Sequence, residues 1–160
     1  MEKFSNLKNN TRRIFEKDET INDLDDQIVD RSIDGDNPSK LFSKLFESRE
    51  MAHIYHLQVN GESGSHAKHV SLNEYYDNIL EFIDELIESY QGQYGIVEDY
   101  DIINTKETRS KDTLSYFEEL SEFVKTERKS ISDEDTHLHS IIDSILVLIY
   151  RTIYKLKFTK

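Results

Sequence analysis

The six histidines of this 160-residue chain fall in only two places. His53, His56, His66 and His69 surround one turn, and His137 and His139 open the last helical segment. Imidazole nitrogen suits iron, zinc and copper, and carboxylate oxygen extends a ligand set toward iron and manganese. Asp84 and Glu88 stand four residues apart, on one face of a helix if the segment is helical. Asp77, Glu81 and Glu85 occupy other parts of the same segment. By spacing alone, Asp84 and Glu88 are better described as a solvated face.

Other groupings are weaker. Glu50-Met51-Ala52-His53 and Glu134-Asp135-Thr136-His137 are Glu-x-x-His patterns of the kind that supply ligands inside di-iron bundles. These two should lie at opposite ends of a bundle, and one Glu with one His is too few ligands, so chance surface placement explains both better. His53 lies one turn before His56 and shares its face. His66-x-x-His69 would hold zinc only with a neighbour's carboxylate. Tyr55, Tyr75 and Tyr76 could relay electrons from an oxidised metal, but their helical spacing also fits packing.

The elements that position these residues are helical. After Pro38, Leu41, Phe42, Leu45, Phe46, Ile54, Tyr55 and Leu57 predict a first helix over 39–59, ending at Gly61. Leu72, Tyr75, Ile79, Ile83, Leu86, Ile87 and Tyr90 predict a second, stopping near Gly92. Its start is set either by Ser65 or by Ser71, which has Glu74 three residues later in a capping-box pattern. Leu114, Phe117, Leu120, Phe123 and Val124 mark a third helix, about 111–128. Ser132 with Asp133, Glu134 and Asp135 forms an acid-rich start for a fourth, favourable against the helix dipole. Helices of this size are about 27–39 Å long, and the link from Gly92 to Ser110 can span that length at about 3.3 Å per residue. The expected fold is all-α, a four-helix bundle with a long middle crossover, as in ferritin-like proteins.

Composition narrows the rest. The net charge is −12, and the lack of Cys excludes disulfides, thiolate metal sites and cysteine nucleophiles. Five Gly and one Pro leave little turn chemistry for a many-stranded protein. No apolar run is long enough to span a membrane, so a soluble, cytoplasmic protein is expected. Residues 1–17 carry a net +3 and residues 18–36 a net −7, the latter with Ile21, Leu24 and Ile28 on one stripe after Thr20. Residues 1–38 are therefore read as an extension with a short amphipathic helix near 20–31, and 39–160 as the bundle. Nucleic-acid binding is not expected, because a polyanion with one short basic stretch releases few counterions.

The ordered set His56-Leu57-Gln58-Val59-Asn60-Gly61, His69 and Ile83-Asp84-Glu85-Leu86-Ile87-Glu88 resembles the Dps miniferritins, a branch of the ferritin-like superfamily. Asp135-Thr136-His137-Leu138 and Tyr154-Lys155-Leu156 are similar to that family's last helix. The resemblance covers roughly residues 39–158. It implies that His56 and His69 of one subunit bind iron together with Asp84 and Glu88 of a two-fold mate, and that subunits close into a hollow dodecamer. The implied activity is a ferroxidase that stores or detoxifies iron with peroxide. Where the family has a third acidic ligand, one turn after the second His, this chain has Asn73, a neutral and weaker donor. One extra residue also separates His56 from His69, and His53 is a further weak ligand candidate. Iron is the expected metal, with zinc and manganese behind it. The alternative is a non-enzymatic ferritin-like homo-oligomeric scaffold with a degenerate site. The Asn, Lys and Ile usage suits an AT-rich genome such as those of tailed phages, in which small ferritin-like proteins of unknown role occur. Either way a homo-oligomer, at least a dimer, is expected.

Overall fold

In a computed structural model, residues 37–61, 65–105 and 112–159 are described. The stripe near residues 20–31 lies outside them. Among the described residues, four α-helices carry the fold: α1 (Ser39–Leu57), α2 (Ser65–Tyr94), α3 (Thr113–Glu127) and α4 (Thr136–Phe158), with one 3-10 turn at Arg128–Ser130. They pack as an all-α bundle in which α1 touches α2 and α3, and α4 touches α2 and α3.

Helix directions follow from side-chain pairs. Phe42 meets Tyr90 edge-on, with ring centroids 5.5 Å apart, while His56 meets His69, so α1 and α2 run antiparallel. Lys40 bonds Glu127 at 2.9 Å and Tyr55 meets Tyr116, so α3 also runs opposite to α1. Lys157 bonds Glu118 at 2.8 Å, Lys155 bonds Glu74, and Asp135 reaches Gln93 and Tyr94, so α4 opposes both α2 and α3. The C-terminus of α2 and the N-terminus of α3 consequently lie at opposite ends of the bundle.

Local chemistry sets the ends. Asn37 Oδ1 accepts from the Ser39 N–H at 2.9 Å, giving the chain entering α1 a side-chain acceptor. Gly95, with φ +95°, closes α2, its N–H donating to Gln91 O at 2.9 Å; a side chain there is disfavoured by the left-handed backbone. Asp112 caps α3 by accepting from Leu114 and Ser115 N–H groups. The second helix starts at Ser65 and not at Ser71, which is buried inside it. The reason is tertiary: the early turn is held by the stacking of His69 on His56. The fourth helix starts at Thr136, later than the acid run suggests. Ser132 Oγ accepts from the Glu134 N–H in the preceding turn, and the Asp135 carboxylate is drawn to α2 instead of capping its own helix.

Among the described residues the core is one apolar cluster of Leu41, Phe42, Leu45, Leu72, Ile79, Ile83, Phe117, Leu138, Ile142, Ile145 and their neighbours. Tyr55 and Tyr75 belong to it. Tyr75 stacks edge-on against Phe117 at 4.8 Å and shares a 2.8 Å hydrogen bond with Ser48. Burial of these two rings is thus supplied by the chain's own bundle, with no need of a neighbouring copy. Among the described residues no helix is long and apolar enough to cross a membrane.

Candidate metal half-sites

Two groups of candidate ligands lie on the α1–α2 pair. The first sits at the end where α1 stops and α2 begins. His56 and His69 stack with ring centroids 3.7 Å apart and planes 28° apart. His56 Nδ1 lies 3.0 Å from the His69 carbonyl oxygen. A carbonyl only accepts, so Nδ1 carries the proton and Nε2 is left with the lone pair. This is the arrangement by which a second hydrogen bond fixes the tautomer of a metal-binding histidine.

Around this pair, Tyr76 links the other candidates. Its ring lies 4.7 Å from that of His53 and 5.4 Å from that of His56. Its hydroxyl donates to Asn73 Oδ1 at 2.8 Å, and Asn73 Nδ2 donates to Asp77 Oδ2 at 2.6 Å. Asn73 therefore belongs to the same neighbourhood as the histidines, but both ends of its amide are engaged within α2. The rings of His53 and His56 are 6.3 Å apart. His66, in the first turn of α2, is exposed.

The second group, Asp84 and Glu88, is exposed and lies 15 and 19 residues beyond His69 along the same helix. At 1.5 Å per residue that is a separation of about 22 Å or more, too far to share an ion with His69 in one chain. Among the described residues, no group of three or more His, Cys, Asp or Glu side chains could hold a metal ion. Within one chain the four donors His56, His69, Asp84 and Glu88 therefore cannot share an ion. Glu50 pairs with Arg49 in α1, and His137 is exposed at the start of α4. Their Glu-x-x-His segments lie at opposite ends of the bundle and form no site.

Asp84 and Glu88 border a cleft of about 320 Å³ that spacing did not reveal. Its other walls are Ser43 and Phe46 of α1, Ile87 of α2, and Tyr100, Asp101 and Ile103 of the segment after α2. That segment is fastened to α1 by the Asp101 N–H, which donates to Ser43 Oγ at 2.8 Å, and by Tyr100, edge-on to Phe46 at 6.1 Å. The apolar content of residues 96–103 was the only signal for it.

The far end of the bundle holds a second histidine cluster. Arg128 Nε lies 3.3 Å from His139 Nδ1 and Arg128 Nη1 bonds Asp143 at 2.8 Å, while His139 Nε2 lies 3.1 Å from Ser132 O. Because Arg128 only donates, His139 accepts at Nδ1 and donates from Nε2, so both nitrogens serve to hold the α3–α4 corner. This histidine is structural.

Tyr55 and Tyr75 are buried core residues, whereas Tyr76 lies half-buried against His53 and His56. Burial pushes the Tyr75 hydroxyl well up, and the same cause raises Tyr116 well above its ordinary value. Tyr55 is pushed from 10.0 up to about 12, first by burial and then by the carboxylates of Asp112, Glu119 and Glu47.

The model of DUF5856, a family of unknown function, matches residues 56–156. The match begins at His56 and takes in α2, α3 and most of α4, including both half-sites. No curated protein and no solved structure matches the chain.

Proposed function

The chain belongs to DUF5856, a family of unknown function, and from its own residues we propose that it handles iron at a site shared between two copies. The observation that carries this reading is the pairing of His56 with His69 at 3.7 Å, with Nε2 of His56 left available by the hydrogen bond at Nδ1. In this reading His56 and His69 of one copy and Asp84 and Glu88 of another take Fe(II) as substrate. His53 is a weaker neighbour, and Asn73, engaged by Tyr76 and Asp77, contributes at most a neutral contact. Helix directions that put the end of α2 and the start of α3 at opposite ends of the bundle support a ferritin-like arrangement with a long crossover, and the proposed site requires a Dps-like assembly, a dimer at least and a dodecamer in full.

The chemistry is a transfer of two electrons to peroxide. Two Fe(II) become two Fe(III), and the peroxide O–O bond breaks with uptake of two protons to give two waters. The chain's part is to bring neutral imidazoles and anionic carboxylates together so that the rising charge on iron is met by oxygen donors. Zinc or manganese would occupy the same donors without that outcome.

A second reading is a non-enzymatic ferritin-like scaffold, of the kind found in phages. It is favoured by Asn73, which stands where the resemblance expects an acidic ligand. One experiment separates them. Untagged protein is mixed with Fe(II) and peroxide, and Fe(III) formation is followed by absorbance for the parent chain, His56→Ala and Glu88→Gln. Loss of at least about tenfold in rate in both variants, with assembly unchanged, is the expected result. Equal rates in all three proteins would leave the scaffold.

A further inference from the structure

We propose that the cleft beside Asp84 and Glu88 is a socket for Leu57 of a second copy of this chain, each copy giving one knob and receiving one. This rests on the shared-site reading above and goes further, by naming the contact that would bring the two half-sites together.

The socket has apolar walls, Phe46, Ile87, Tyr100 and Ile103, and a rim of three carboxylates, Asp84, Glu88 and Asp101. Its volume of about 320 Å³ is ample for an aliphatic side chain. The knob is Leu57, the last residue of α1, 71% exposed although large and apolar. Val70, 38% exposed, adds to the apolar surface of the same end of the α1–α2 pair. Lys68 and the imidazoles of His56, His66 and His69 surround this end, and residues 65–70 contain no carboxylate. An apolar knob beside the Lys68 ammonium thus meets an apolar socket rimmed by carboxylates.

A two-fold pairing also requires knob and socket on one face. Leu57 and Phe46 are eleven residues apart, which is about three helical turns, so they lie within about 20° of each other around α1. Val70 and Glu88 are eighteen apart, about five turns, and coincide on α2. Both features therefore occupy the same outer face of the α1–α2 pair, separated along it by about 16 to 27 Å. An isologous dimer uses such a face twice. His56 adjoins the knob and Asp84 and Glu88 rim the socket, so seating Leu57 carries the imidazoles toward the carboxylates.

The chain has no Cys, which makes a direct test simple. Leu57→Cys with Ile103→Cys, treated with a short bis-maleimide, is expected to give a covalent dimer. Leu57→Cys with Val147→Cys, which places the second thiol on the exposed face of α4, is expected to give background only. Leu57→Asp should keep full helicity by circular dichroism and weaken association, read by sedimentation velocity, by at least about 100-fold, because the two-fold repeats each loss. A covalent dimer and a dissociating Leu57→Asp without iron oxidation would uphold the socket and sink the iron reading. Iron oxidation that Glu88→Gln abolishes, with no cross-link and an unaffected Leu57→Asp, would overturn the socket alone. A parent chain that is monomeric at tens of micromolar would overturn both.

Discussion

Tyr75 illustrates how one residue type answers two questions. It is wholly buried, bonded to Ser48 and packed on Phe117, so it serves packing. Its raised pKa also has a consequence for stability. A phenol whose folded value lies above its unfolded value favours the fold in its neutral form, so the contribution is intact below pH 10 and is lost as pH rises through the folded value. For Tyr55 that window runs from 10.0 to about 12, and Tyr75 and Tyr116 extend it upward. Alkaline titration followed together by tyrosinate absorbance and circular dichroism should show these phenols ionising only as helicity is lost. Free titration near pH 10 with helicity retained would contradict their burial. Of the candidate ligands, His56 and His69 stand out by residue type, whereas Asp84 and Glu88 are singled out by the family resemblance, spacing alone leaving them a solvated face. That His56 and His69 would stack was not legible, since it depends on where α2 begins. Nor was the use of His139 by Arg128, because nothing in sequence separates a latch from a ligand.

The helices themselves were read closely, because apolar residues at helical spacing record the buried stripe directly. Their ends were less legible. Ser71 with Glu74 mimics a cap, yet Glu74 reaches Lys155 of α4 and Ser71 turns inward. Asp135, by composition a helix-starting acid, is buried and tied to Gln93 and Tyr94 of α2. Such ties are long-range and leave no local pattern. Asp112, by contrast, caps α3 in the ordinary way, and Asp112→Ala should cost about 1 kcal/mol of unfolding free energy, measured by urea denaturation. Asp112→Asn should restore most of it, because the amide oxygen still accepts from Leu114 and Ser115. An Ala variant as stable as the parent would show that the third helix draws nothing from its cap.

For the whole molecule, a charge of −12 means that copies repel at long range. The proposed association of copies would then rest on short-range apolar contact and on local opposition of sign. In the proposed dimer the segment after α2 contributes to both, and its ties to the helices include Val97 N–H to Gln91 Oε1, Asp101 N–H to Ser43 Oγ, and the Tyr100–Phe46 contact. Ile96 and Ile102, 76% and 93% exposed, bury little of themselves in return. Opening of this strap should therefore need far less free energy than unfolding of the bundle. Amide hydrogen exchange gives the measure: the N–H groups of Val97 and Asp101 should exchange orders of magnitude faster than those of Ile83 or Ile145 in the core, and slow when copies associate. Exchange at Asp101 as slow as at Ile83 in isolated chains would refute it. A wall of the cleft would then be a local equilibrium set apart from global stability, and the acceptor face would have a lifetime of its own.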